Sequence, residues 1–137
     1  MNLEIKIKEG LGDLRFGMTE EQIKAIMSRP DEVEHIENAA DEPTTVMHYN
    51  DHGITLFLED EPQVLACIDL ANEQCTLFGK EVFDLNEREL VKLMVANDLT
   101  EQDVDQEDWG ERRVSFPQGN IDFYFADGEM TSIIMGA

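Results

Sequence analysis

The 137-residue chain carries one pattern twice, with the second copy displaced by 67 residues. A glycine, a helix cap, an apolar helix face and a hairpin all align at this displacement. The aligned pairs are Gly12 and Gly79, Phe16 and Phe83, Met18 and Leu85, Thr19 and Asn86, Ile23 and Leu90, Ile26 and Leu93, Met27 and Met94, Tyr49 and Phe116, Ile54 and Ile121, Phe57 and Tyr124, and Leu58 and Phe125. Repeated units share a core that one copy cannot bury alone. The sequence therefore predicts a single α+β domain, residues 1–137, formed by two tandem repeats of about 1–70 and about 71–137 in one compact pseudo-symmetric body.

Each copy is expected to contain one helix. Thr19 with Gln22, and Asn86 with Glu89, have the spacing of capping boxes. Pro30 is expected to end the first helix near residue 29, and the second is expected to end near residue 97. Apolar residues at i, i+3 and i+4 predict one sheet-facing stripe per helix. The stripes are Ile23, Ile26 and Met27, and Leu90, Leu93 and Met94.

Each helix is followed by an acidic connection that is expected to be irregular, residues 31–43 and residues 98–110. Turn residues then separate apolar segments that predict an antiparallel meander of three strands in each copy. The predicted strands are residues 44–49, 54–58 and 63–70, and residues 112–116, 121–125 and 129–135. Residues 3–8 alternate charged and apolar side chains and predict one further strand.

The charge is the compositional outlier, because 31 acidic residues face 10 basic ones and leave a net charge of −21. Such a field repels nucleic-acid phosphates and anionic membranes, and it attracts basic proteins. Acidity that serves only solubility is the alternative. No segment approaches the roughly 20 apolar residues of a membrane span, and the N-terminus has no signal-like apolar run. The two cysteines, Cys67 and Cys75, are expected to be reduced thiols, so we expect a cytoplasmic protein.

No catalytic motif stands out, so we expect a non-enzymatic protein without cofactor or metal. His48 and His52 flank a turn and lack the other ligands of a zinc hydrolase. The segment 103–107 starts like a calcium loop, but the glycine and glutamate that such loops require later are absent. Trp109, the single tryptophan, lies among acidic residues. Packing onto the core beneath its own loop is the favoured interpretation, and a role as an interface anchor is the alternative.

Residues 14–27, closed by Pro30 and followed by a strand that carries Tyr49, resemble a recurrent bacterial pattern. That pattern occurs in the small outer-membrane-assembly lipoprotein domain and, in tandem, in β-lactamase-inhibitor-protein-like domains. The duplication is similar to the tandem form. The resemblance implies a helix-plus-meander fold and a habit of binding proteins. The chain departs from those families because it lacks a lipobox cysteine and the disulfides of secreted members.

Size, acidity and the resemblance together favour a non-enzymatic protein-binding module, most concretely an immunity-type inhibitor of a basic bacterial toxin. Alternatives are a DNA mimic that inhibits nucleic-acid-binding enzymes, or a housekeeping protein. The expected partner is a basic protein, with no direct binding of nucleic acid or membrane; the oligomeric state is left open. The predicted partner-binding residues lie in the two acidic connections. They are Asp31, Glu32, Glu34, Glu37, Asp103, Asp105, Glu107, Asp108 and Trp109.

Overall fold

The computed structural model describes residues 2–36, 43–59 and 63–137, which form an α+β fold with mostly antiparallel sheets. The helices are α1, Glu20–Met27, and α2, Glu87–Ala96. The strands are β1 Glu4–Lys6, β2 Gly10–Leu11, β3 Leu14–Arg15, β4 Glu32–Ile36, β5 Thr44–Tyr49, β6 Ile54–Glu59, β7 Val64–Leu70, β8 Thr76–Leu77, β9 Lys80–Glu81, β10 Asp103–Gln106, β11 Glu111–Phe116, β12 Ile121–Ala126 and β13 Glu129–Gly136. None of the helices in these ranges has the length and apolar character of a membrane span.

Both predicted capping boxes are confirmed. The Thr19 hydroxyl accepts from the Gln22 amide at 3.3 Å, and the Gln22 side-chain oxygen accepts from the Thr19 amide at 2.9 Å. Asn86 and Glu89 repeat this exchange at 2.8 and 3.0 Å. Each exchange satisfies amides that the first helical turn leaves unpaired. The helices end at Met27 and Ala96, within two residues of the predicted ends.

The larger sheet has eight antiparallel strands in the order β10-β11-β12-β13-β7-β6-β5-β4. Its centre is the pairing of β7 with β13, where Ile68 lies opposite Met135 and Leu70 opposite Ile133. The two predicted meanders therefore join edge to edge in one sheet. All six predicted meander strands are present, with bounds within one residue of the prediction.

The acidic connections differ from the prediction, because each contains an additional edge strand. Segment 31–43 contains β4, and segment 98–110 contains β10, so each meander has four strands rather than three. In β4, Val33 packs against the core while Glu32 and Glu34 are exposed. The charged residues obscured this two-residue period, which is the signature of a half-buried strand.

A second sheet of five short strands has the order β3-β2-β1-β8-β9. The N-terminal strand β1 pairs in parallel with β8, where Ile5 lies opposite Leu77. It therefore joins a hairpin that precedes α1 to a hairpin that precedes α2. This strand is shorter than the predicted segment 3–8, because the chain turns at residues 7–9 into β2.

One contiguous hydrophobic cluster includes residues from both halves of the chain. It combines the helix residues Ile23, Met27, Leu90 and Met94 with the inner residues of the large sheet. The predicted core positions are confirmed as buried: Tyr49, Ile54, Leu58 and Phe125. The prediction that Ile26 faces the sheet is wrong, because Ile26 lies on the flank of α1 and is 39% exposed. Leu93, its counterpart on α2, is half-buried.

Candidate protein-binding surface

The large sheet has an outer face, which we define by the residues that alternate with its core-facing positions. The register gives one row of outer-face residues that crosses all eight strands. The row is Glu32, His48, Thr55, Asp69, Ile134, Asp122, Ser115 and Asp103. The described helices and the small sheet pack against the opposite face, where their apolar residues join the core cluster. Val46, on the outer face, is buried but lies outside that cluster.

Carboxylates dominate the outer face. They belong to Glu32, Glu34, Glu59, Asp69, Asp103, Asp105, Glu111, Asp122 and Glu129. Among the eight described strands, Arg113 is the only lysine or arginine on this face. A face of this composition produces a negative potential that favours contact with basic groups.

At the β10 edge, the acids gather around Arg113. Its Nη2 lies 3.5 Å from Asp103 Oδ2 and contacts Asp105 Oδ2, and its Nη1 lies 3.8 Å from Asp122 Oδ2. These contacts raise the pKa of the guanidinium above its ordinary value, with the hydrogen bond to Asp105 as the largest cause. The Ser115 hydroxyl donates to Asp122. This edge therefore has an internal counter-charge.

At the β4 edge, two glutamates lie beside a histidine. Glu32 is directly opposite His48 in the register, and Glu34 is opposite Val46. His48 Nε2 lies 3.6 Å from Glu34 Oε2. Apart from this contact, neither carboxylate lies within 4.0 Å of a basic nitrogen in the described part of the chain. This edge differs from the β10 edge because its two carboxylates lie beside an imidazole and, within the described residues, contact no guanidinium.

The centre of the outer face is half-buried and mixed in polarity. Ile134 lies opposite Asp69 in the register, and Phe57 lies opposite Cys67. Burial raises the pKa of the Asp69 carboxyl above its ordinary value. Burial, aided by the Asp69 charge, also raises the pKa of the Cys67 thiol to about 11. At neutral pH that thiol is protonated and a poor nucleophile. The centre therefore offers apolar contact area within an acidic rim.

Trp109 lies in the turn between β10 and β11 and is 74% exposed. The turn is closed by the Gly110 amide, which donates to the Glu107 carbonyl at 3.1 Å. The favoured interpretation of the sequence, in which Trp109 packs under its own loop, is therefore wrong. An exposed tryptophan beside the acidic Asp108 is available as an interface anchor.

The structure places the predicted partner-binding residues in two separate groups. Asp31, Glu32 and Glu34 lie at the β4 edge, and residues 103–109 lie at the β10 edge. Seven inter-strand spacings of about 4.8 Å separate these edges by about 34 Å. Asp31 also has a structural role, since its carboxylate accepts from the Asn50 amide at 2.7 Å. Glu37 lies outside the described residues.

Sequence reasoning missed four outer-face residues: His48, Asp69, Arg113 and Asp122. Each one alternates with core residues along its strand, so the alternation was an available signal that these side chains share one face. Their neighbours across strands depend on the register, which no local pattern specifies.

No protein-family model matches this chain, and neither does a curated protein or a solved structure.

Proposed function

We propose that this protein is a non-enzymatic, cytoplasmic binding module that takes a basic protein on the outer face of its eight-stranded sheet. An immunity-type inhibitor of a basic bacterial toxin is the most concrete form of this proposal. The observation that carries it is the face itself, which spans eight strands, is rich in carboxylates and has Arg113 as the single lysine or arginine among its described strand residues.

The composition of the face suits a tight interface. Interfaces combine a well-packed apolar centre with a polar rim, and a few aromatic residues supply most of the binding energy. Phe57 and Ile134 provide apolar area near the centre, and the acids of β4 and β10 provide the rim. Trp109 adds an exposed aromatic residue at one edge. The acidic rim accelerates encounter with a basic partner, so binding is expected to weaken as salt rises.

A tandem duplication underlies this face. The helices begin at Glu20 and Glu87, and β5 and β11 span Thr44–Tyr49 and Glu111–Phe116, all separated by 67 positions. The antiparallel pairing of β7 with β13 is the place where a two-fold axis would relate the copies. The tandem arrangement supports the resemblance to β-lactamase-inhibitor-protein-like domains and, with it, a binding role.

Affinity capture from the source organism tests the proposal, with three versions of the full chain as bait. The first is the wild type. The second carries Glu34→Gln, Asp69→Asn and Asp103→Asn, which remove three outer-face charges. The third carries Glu9→Gln, Glu21→Gln and Glu81→Gln, which remove three exposed charges elsewhere.

We expect the wild type and the third version to retain the same basic protein at low salt and to release it at high salt. The second version should retain much less of it. Equal retention by all three versions would refute the outer-face proposal. Capture of nucleic-acid-binding enzymes that DNA displaces would instead support the DNA-mimic alternative.

A further inference from the structure

We infer that Glu32, Glu34 and His48 form a binding site for a divalent transition-metal ion, with Zn²⁺ as the reference ion. The site lies at the β4 edge of the outer face and is independent of the proposed function. It contains one imidazole and two carboxylates, whose potential ligand atoms all lie within 4.8 Å of one another.

The backbone pairing brings these three side chains together. Glu32 and His48 are register partners, and Glu34 follows two residues later on the same face of β4. The distance from Glu34 Oε2 to His48 Nε2 is 3.6 Å. Two ligands of a tetrahedral Zn²⁺ with bonds of about 2.0–2.1 Å are separated by roughly 3.3 Å. The exposed glutamates therefore need only a small side-chain movement to enclose an ion.

The burial of the His48 Nε2 atom also indicates that it binds a ligand. This nitrogen is inaccessible to solvent and has no hydrogen-bond partner in the described part of the chain. The Glu34 carboxylate, at 3.6 Å, is beyond hydrogen-bonding distance. A buried polar atom without a partner is costly, and a coordinated metal ion would satisfy it.

The β10 edge provides an internal comparison. There, Asp103 and Asp105 occupy the places that Glu32 and Glu34 occupy on β4, and they contact Arg113. At the β4 edge, the place of Arg113 is taken by Val46, which has no charge. The pair on β10 therefore has a cation supplied by the chain, whereas the pair on β4 has, within the described residues, only a histidine as its basic neighbour.

The donor set favours particular ions. Imidazole suits Zn²⁺, Ni²⁺, Cu²⁺ and iron, whereas sites made only of carboxylates suit Mg²⁺, Ca²⁺ and Mn²⁺. With one imidazole and two carboxylates, the site should select a first-row transition metal over Mg²⁺. Three protein ligands leave a coordination position for water or for a side chain of a partner. His52, four residues along the chain from His48, is not part of this group, whose other two members come from β4.

Calorimetric titration of the full chain with Zn²⁺ tests the site. The buffer contains excess Mg²⁺, which occupies nonspecific cation-binding positions among the other carboxylates. The variants are His48→Gln, the pair Glu32→Gln with Glu34→Gln, and the pair Asp103→Asn with Asp105→Asn. The two double variants remove the same charge, from the β4 edge and the β10 edge respectively. Imidazole NMR signals provide a second readout on the wild type, since His35, His48 and His52 are the only histidines.

We expect the wild type to bind one Zn²⁺ and to shift the ring signals of His48 only. His48→Gln and the β4 double variant should each weaken Zn²⁺ binding by at least about tenfold. Even the loss of a residue that only hydrogen-bonds to a metal ligand weakens metal binding by about 10–100-fold. The β10 double variant should change the affinity by less than about twofold. Equal weakening by both double variants, or ring shifts shared equally by the three histidines, would overturn the inference.

Discussion

Arg113 lies directly opposite Asp105 in the β10–β11 pair, and its guanidinium contacts that carboxylate. The same guanidinium also lies within 4.0 Å of Asp103 and Asp122. One cation therefore offsets three neighbouring acids. Without it, these acids would repel one another across the sheet.

Arg113→Gln should lower the free energy of unfolding by roughly 1 kcal/mol at low salt, because a network of ion pairs is lost and repulsion remains. The difference from wild type should shrink as salt screens the acids. Arg88→Gln, at an exposed position of α2, is the matched control and should have little effect. Urea unfolding of the wild type and of each variant, at a low and a high salt concentration, measures these differences in stability. A loss for Arg113→Gln that is independent of salt would contradict the electrostatic explanation.

Alkaline pH should destabilise the protein through its two thiols. Burial raises the pKa of Cys67 and of Cys75 from 9.0 to about 11. Because the folded-state pKa is the higher one, this stability is fully present below pH 9.0 and is lost as pH rises toward about 11. Unfolding measured from pH 8 to 11 should show the decline. A variant with Cys67→Ser and Cys75→Ala should show a smaller decline, and an identical one would refute this cause.

Gly12 and Gly79 should respond differently to alanine, although both have a positive φ, of 58° and 78°. A Cβ on Gly12 would lie 2.1 Å from the Asn2 carbonyl oxygen, whereas a Cβ on Gly79 would have no neighbour within 4 Å. Gly79→Ala should cost about 1 kcal/mol through backbone strain alone. Gly12→Ala should cost more, because the N-terminal segment must also move. Thermal unfolding compares the stability of the two alanine variants. Equal losses of stability would show that the close approach of Gly12 to the Asn2 carbonyl has no influence.

Truncation after Leu70 should leave a fragment that does not fold. The cut removes β13, which pairs with β7 at Leu70 and Ile68, and it removes half of the shared cluster. A chain of about 70 residues buries too small a fraction of its surface to offset its conformational entropy when the partner half is missing. Circular dichroism and amide exchange of residues 1–70 measure this. A cooperative thermal transition in that fragment would contradict the shared-core account.

Much of the local structure could be predicted from the sequence. The capping boxes at Thr19 and Asn86 depend on residues three positions apart, and the strand Thr44–Tyr49 depends on its own alternation and the turn that follows. Such signals are complete within a few residues. The edge strands β4 and β10 were missed because charged side chains on one face concealed the alternation with Val33 and Val104.

The candidate surface was harder to predict, because it depends on pairing between distant segments. The distance between Glu34 and His48 follows from the β4–β5 register, and the place of Asp69 follows from the β7–β13 pairing. Neither pairing has a local signal. The sequence also did not determine whether Trp109 is exposed, because a tryptophan among charged residues is compatible both with a loop packed on the core and with a protein interface.

The most direct test of the central proposal is the affinity of the captured partner, once purified, for the two charge-matched triple variants. The outer-face variant carries Glu34→Gln, Asp69→Asn and Asp103→Asn, and the control carries Glu9→Gln, Glu21→Gln and Glu81→Gln. If the outer face binds the partner, the outer-face variant should bind at least about tenfold more weakly, which is about 1.4 kcal/mol. The control should stay within about twofold of wild type. Equal affinities for the two variants would contradict the proposal that the partner docks on this face.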